Sequence, residues 1–290
     1  MVIVTTAGPA PAPVLSSTSI DGLIKVTADA TWAGALVEVD YRTLMPGAYA
    51  APFRADVYRQ TSVGTELVRS GNPVVGYGGR AWAYDHEAPL GLPALYWAVP
   101  RMADGSSGPA SGGAAIVSTG PVGGMDDPGL WIKCLGRPEL SVQVRATDWS
   151  AGTYKGRTSS ADILSARNTA STWSTRGGHE TQMTVLTTSR AEQDALQAVL
   201  DQGPVLVQGL AAHNRDDGYY LPTDLPWKRV GRTVHMYREW TIGLLEQDRP
   251  GTADQPLVVP GRSLARRQAM YPTFADVAFS GRPFSDGLLP

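Results

Sequence analysis

Apolar and polar residues alternate at period two through much of the first hundred positions. Ile24 and Val26 alternate with Lys25 and Thr27, and Val37, Val39 and Tyr41 with Glu38, Asp40 and Arg42. A further run passes from Val57 to Arg59, and Leu95, Trp97 and Val99 alternate with Tyr96 and Ala98. Successive side chains of a strand point to opposite faces, so this period predicts strands with one buried face. Turn formers separate the runs, as in Met45-Pro46-Gly47 and Ser70-Gly71-Asn72-Pro73,. About 100 residues of such strands predict a small β-sandwich over 20–119, with Trp97 in its core.

The alternation resumes beyond 130. Leu140, Val142 and Val144 alternate with Ser141, Gln143 and Arg145, and Met183 and Val185 with Gln182, Thr184 and Leu186. Residues 233–237 and 238–246 read as closing strands, with Trp240, Ile242 and Leu244 on one side. One segment switches to helical spacing. Ser189 and Glu192 make an S-x-x-E capping box, Ala191, Ala195, Leu196, Val199 and Leu200 share a stripe, and Gly203-Pro204 stops the helix,. This predicts a single amphipathic helix at about 189–202. Flanked by strands on both sides, it has to lay its stripe on a sheet.

Composition agrees with a sheet protein. Only 18% of the 290 residues are charged, while there are 32 Gly and 22 Pro, which suits short strands joined by tight turns,. The length fits two domains. Gly and Ser crowd the stretch around 103–130, too long and polar for a loop within one core, so a connector is expected over 120–130. The Pro/Ala-rich segment 1–19 and the aperiodic tail 251–290 read as extended arms, and 131–250 as the second domain. A net charge of −2 without a basic block argues against a nucleic-acid partner,. The lone Cys134 forbids an internal disulfide and suits a reducing cytoplasm. The N-terminus does not read as a signal peptide, and no apolar run is long enough to span a bilayer.

Candidate chemistry is sparse. His86, His179, His213 and His235 show no i, i+4 pairing, and one cysteine cannot build a zinc finger,. There is no G-x-S-x-G elbow and no phosphate-binding glycine motif. Asp85 and Glu87, flanking His86, could serve as paired glycosidase carboxylates or calcium ligands, although a polar edge beside a turn is the plainer reading. Asp216-Asp217-Gly218 reads as a turn with Gly218 at positive φ, and Asp126-Asp127-Pro128-Gly129 as a turn at the domain junction. The helix start at Ser189 could hold an anion, but Glu192 already fills it. Of the eight tryptophans, Trp97 and Trp240 are expected in cores, and Trp227, in a turn-rich loop, at an interface,. No catalytic, cofactor-binding or metal-binding residue is assigned.

Two resemblances extend this reading. Leu92-Pro93-Ala94-Leu95-Tyr96 resembles the fibronectin type III segment that carries a tyrosine corner, in which Tyr96 would bond back to the backbone; a plain Leu-Pro turn entering a strand is the alternative,. The fold class is therefore mainly β: a fibronectin type III-like sandwich, then a second sandwich or split barrel with one packed helix.

Five segments in order resemble minor tail proteins of long-tailed, siphovirus-like phages of actinobacteria. They are Tyr84 to Tyr96, with His86 where an aromatic is usual; Trp131-Ile132-Lys133-Cys134; Thr184 to Gln208; Arg238 to Pro250; and Tyr271-Pro272-Thr273-Phe274-Ala275-Asp276-Val277. The resemblance implies a structural protein of the phage tail tip, similar to distal tail proteins. Such a protein forms a homo-oligomeric ring, trimer or hexamer, that joins the tail tube to the tip or baseplate. The implied partners are the tail tube protein, the tape measure protein and tip or baseplate hub proteins, with host surface glycans as a further contact. The implied location is the virion, assembled in the host cytoplasm. It implies no enzyme activity and no cofactor. Two other readings are carried: a carbohydrate-binding adhesion protein that uses exposed tryptophans, and a cell-wall glycan hydrolase that uses Asp85 and Glu87.

Overall fold

The computed structural model of the chain describes residues 14–42, 53–71, 74–76, 78–101, 105–118, 130–150, 152–154, 157–161, 170–174, 178–209, 217–232 and 235–250. The expected turn at 126–129, the segment 271–277, His213, and the arms at 1–13 and 251–290 lie outside them. The fold is mainly β, with antiparallel sheets and one α-helix among the described residues.

The N-terminal module contains β1 (Ser16–Thr18), β2 (Ile24–Asp29), β3 (Gly34–Asp40), β4 (Phe53–Gln60), β5 (Thr65–Leu67), β6 (Val74–Gly76), β7 (Arg80–Asp85), β8 (Pro93–Arg101) and β9 (Ala114–Val117). One sheet runs β1-β2-β3-β7, the other β5-β4-β8-β9 with β6 also on β4. Their inner faces share one core. Many of its residues are alanines, among them Ala35, Ala55, Ala83, Ala94 and Ala98, and these small side chains leave room for Tyr41, Phe53 and Tyr96 between the sheets,. The Tyr41 hydroxyl, buried there, donates to the Ala98 carbonyl at 2.9 Å,.

Three expectations change here. The N-terminal arm ends sooner than residue 19, because Val14 exchanges backbone bonds with Val117 and Ser16–Thr18 pairs with β2, joining the two sheets at one edge. Trp97 is not in the core. The inward face of β8 is the small-and-tyrosine set Ala94, Tyr96 and Ala98, and Trp97 lies outside, stacked on Tyr58 with ring centroids 5.4 Å apart. The tyrosine corner is not formed either, since the buried Tyr96 hydroxyl donates to the Asp85 carboxylate at 2.8 Å instead of to backbone.

The C-terminal module contains β10 (Leu130–Cys134), β11 (Val142–Trp149), β12 (Thr153–Tyr154), β13 (Arg157–Ala161), β14 (Ala170–Ser174), β15 (His179–Thr187), α1 (Arg190–Leu200), β16 (Val205–Gln208), β17 (Gly218–Pro222), β18 (Trp227–Arg229) and β19 (Arg238–Gln247). β15-β11-β10-β16-β17-β19 pair in that order, and β19 returns to β15 from Glu180↔Leu245 to Thr187↔Arg238. Six strands therefore close into a barrel, which removes most free edges. β12 and β18 are appended at its rims, and β13 pairs with β14. Trp240, Ile242 and Leu244 all point into the barrel core, as the alternation requires.

The helix α1 plugs the barrel against β10, β11 and β15. Ser189 caps it by accepting the Glu192 N–H, and Glu192 reaches back to the Thr188 N–H at 2.7 Å. Gly203, at φ +98, takes the left-handed conformation beyond the helix end,. The buried stripe is Gln193, Leu196, Val199 and Leu200, whereas Ala191 is exposed. Positions 193, 196 and 200 keep the i, i+3, i+7 line. Gln193 is tolerated on it because its amide donates to the Met236 carbonyl at 2.6 Å.

Elsewhere, Leu140 ends a 3₁₀ turn (Pro138–Leu140) instead of opening a strand, since the Leu140 N–H donates to Arg137. The segment His235–Tyr237 is the return of a hairpin, not a strand, and Trp227–Arg229 is what pairs with β19 there. Gly218 opens β17 without positive φ, paired with Val207. No helix among the described residues is long and apolar enough to cross a membrane.

Candidate functional site

The five residues of β10 are all buried. Leu130, Ile132 and Cys134 face the barrel core, so Trp131 and Lys133 face outward, and what covers them is the sandwich. Trp131 packs in a separate cluster with Ala33 and Leu90 of the sandwich. Lys133, with no exposed surface, donates to the Ala33 carbonyl at 2.7 Å and the His86 carbonyl at 2.9 Å. A strand with both faces covered reads as one continuous buried run, and Lys133 is the polar group inside it.

The sandwich side of this junction is the end of β7, Asp85-His86-Glu87. All three are buried, so neither an accessible carboxylate pair nor a polar edge exists here. Asp85 accepts both Arg59 Nη1 bonds, at 3.0 and 2.9 Å, together with the Tyr96 hydroxyl and the Glu87 N–H. Arg59 also bonds Glu66 at 2.7 Å. Burial, with the Asp85 charge beside it, pushes the Tyr96 hydroxyl well above its ordinary range.

Glu87 is clamped from both modules. Arg69 Nη2 bonds it at 2.7 Å from the sandwich. Arg249, just past β19, pairs with it, and the Tyr219 hydroxyl of β17 donates to it at 2.8 Å. Burial alone would raise its carboxyl, but the Arg249 and Arg69 hydrogen bonds outweigh burial and hold it down to about 2,. Arg69 also donates to the Pro250 carbonyl at 2.9 Å, which fastens the exit of β19 to the sandwich. Gln208 of β16 donates to Ala88, and His86 Nε2 lies 2.9 Å from the Ser141 hydroxyl, which also accepts the Cys134 N–H. His86 Nδ1 is buried without a hydrogen-bond partner.

These groups give the junction a defined pH response. Burial lowers Lys133 to about 7, against the pull of Asp85, Asp217 and Glu87 and with the push of Arg59. Burial and then the Lys133 charge lower His86 well below its ordinary value, with Glu87 opposing and Arg69 adding. Between about 7 and the ordinary lysine value near 10.4, an exposed Lys133 holds a proton that the buried one lacks, so rising pH favours the closed junction. Falling pH through the ordinary histidine range penalises it again, because a buried neutral His86 resists charging. The contribution of Glu87 is present above the ordinary carboxyl value and is lost as pH falls toward 2. All three shifts weaken the junction in acid. Thermal unfolding midpoints are therefore expected to rise from pH 5 to pH 9, and Lys133→Met to flatten the limb above pH 7. A wild-type midpoint that falls over that limb contradicts the assignment.

The other candidates fall elsewhere. His179 bonds Glu246 at 2.6 Å at the barrel rim, His235 is exposed and stacked on Tyr237, and Cys134 is a buried thiol that burial raises. Among the described residues, no three His, Cys, Asp or Glu side chains are gathered as a metal would need. Trp227 is half-exposed on β18, and Asp217 accepts the Gly209 N–H. Lys133, Arg69 and Arg249, central to the junction, escape a reading from sequence; the one cue to the lysine is its place within the otherwise apolar run from Leu130 to Leu135. No family model matches the chain, and no curated protein matches it.

Proposed function

We propose that this chain is a structural subunit of a phage tail tip, which joins with further copies into a closed ring between tail tube and tip or baseplate. The observation that carries the reading is the junction. The buried Glu87, His86 and Lys133, with Arg69 and Arg249, are bonded across the contact between sandwich and barrel instead of facing a cleft. Buried networks whose charged groups are bonded to one another rigidify a structure and fix one arrangement. A ring subunit needs that property, because an error in the angle between its parts accumulates around the rotation axis. The ordered resemblance of Tyr84 to Pro250 to tail-tip proteins supplies the assembly in which such a subunit would serve. The stacked Tyr58–Trp97 pair, on the face of β4 and β8 turned away from the core, favours a peripheral, contact-making sandwich carried by the barrel.

The test is the mass of the purified chain in solution by light scattering. A closed species at three or six times 30.8 kDa supports the reading. A monomer that persists at high concentration counts against it.

A further inference from the structure

Among the described residues, β18 is the last strand of the barrel sheet and pairs only with β19. The Thr241 N–H donates to the Pro226 carbonyl and the Val230 N–H to the Tyr237 carbonyl. In an antiparallel pair these inward-facing groups alternate along the strand. Lys228 therefore shares the inward register of Pro226 and Val230, while the N–H and C=O of Trp227 and Arg229 point away from β19. No described strand lies beyond them. An edge of this kind is a template for another chain.

The side chains around the edge have a definite character. Trp227 is 49% exposed, Met236 64% and Tyr237 40%. Trp227 is propped by Trp240, at 6.3 Å between centroids, and by the Arg238 guanidinium 4.2 Å over its ring. A rigid, half-exposed aromatic loses little entropy on contact. Between 227 and 239 stand Lys228, Arg229, Arg232 and Arg238 against the single carboxylate Glu239, in a chain of net charge −2. Lys228 is paired with Glu239, and Arg229 and Arg232 are exposed with no ion pair among the described residues. Charged side chains can simply blunt an edge, but three exposed apolar side chains beside them serve no such purpose. Antiparallel two-fold pairing of β18 with a copy of itself about Lys228 would set Lys228 against its own copy with both Arg229 side chains close by, which is destabilising.

We infer that the free edge of β18 takes an extended, acidic segment of another protein as an added strand. Backbone bonds from Trp227 and Arg229 would hold it, Arg229 and Arg232 would meet its carboxylates, and Trp227, Met236 and Tyr237 would cover its apolar side chains. This rests on the edge alone and holds whether or not the chain belongs to a phage tail.

The experiment uses the full chain, ¹⁵N-labelled, and as probe the peptide acetyl-Thr-Glu-Val-Glu-Val-Glu-Thr-amide. Its lysine-for-glutamate counterpart and a single-stranded oligodeoxynucleotide serve as comparisons. The acidic peptide is expected to slow hydrogen exchange of the Trp227 and Arg229 amides by about tenfold or more at saturation, while the basic peptide leaves them unchanged. Arg229→Ala should weaken binding several-fold through charge. Arg229→Pro, which spares the inner ladder because its N–H faces outward, should abolish it. No protection at about 1 mM acidic peptide overturns the inference. So does equal protection by the oligonucleotide, or binding that survives Arg229→Pro.

Discussion

Glu87→Gln is expected to destabilise the chain by about 3–5 kcal/mol, the usual consequence of removing one partner from a buried charge cluster. The carboxylate is nearly inaccessible and is bonded by Arg69, Arg249 and Tyr219, which come from two modules. A neutral amide of the same shape leaves two guanidiniums facing each other, and Arg69, with 6% of its side chain exposed, has little water to turn to. Arg69 also holds the Pro250 carbonyl, so the loss should spread to the strand exit and let sandwich and barrel unfold in separate steps. Arg80→Ala is the matched control. It breaks an exposed pair with Asp40, 47% and 32% exposed, for which a loss within about 1 kcal/mol is expected,. Denaturant unfolding followed by tryptophan fluorescence reads both variants. Equal small losses would mean that the Glu87 clamp is not what joins the modules.

Leu196→Asp and Leu200→Asp should each prevent stable folding of the barrel, with losses above about 4 kcal/mol, whereas Gln197→Asp should be tolerated. Leu196 and Leu200 lie on the barrel core, 1% and 5% exposed, with Val199 between them. Gln197 points to solvent one position from Leu196. The comparison separates the helix face from the helix itself, because an aspartate has the same modest helix propensity at all three sites. Far-UV circular dichroism and urea midpoints suffice to read it. Comparable damage at all three positions would refute the packed face.

How much of this was legible in the sequence depended on which physical signal each element carries. The helix was legible because local rules place its ends: Ser189 and Glu192 cap it and Gly203 closes it. Leu196, Val199 and Leu200 of the expected stripe are buried, but Ala191 is exposed and Gln193 takes the place at its start; a polar residue gives no such signal, and only the Met236 carbonyl, distant in sequence, satisfies it there. β19 was legible from Trp240, Ile242 and Leu244. β8 was read inside out, because alternation gives the period and not the face. A core lined with alanines took Tyr96 and left Trp97 on Tyr58. The junction was visible as a conspicuous Asp85-His86-Glu87 but not as a clamp. Its partners Arg59, Arg69, Lys133, Tyr219 and Arg249 are scattered over the chain, and no local pattern marks a buried charge whose partner is supplied by another module.

The tail-tip role is tested most directly by gold-labelling native phage particles with an antibody to this chain and viewing them by electron microscopy. Label confined to one end of the tail is the expected result. Label on host cell walls, with bare particles, would contradict it and leave the adhesion reading to be tested on wall glycans.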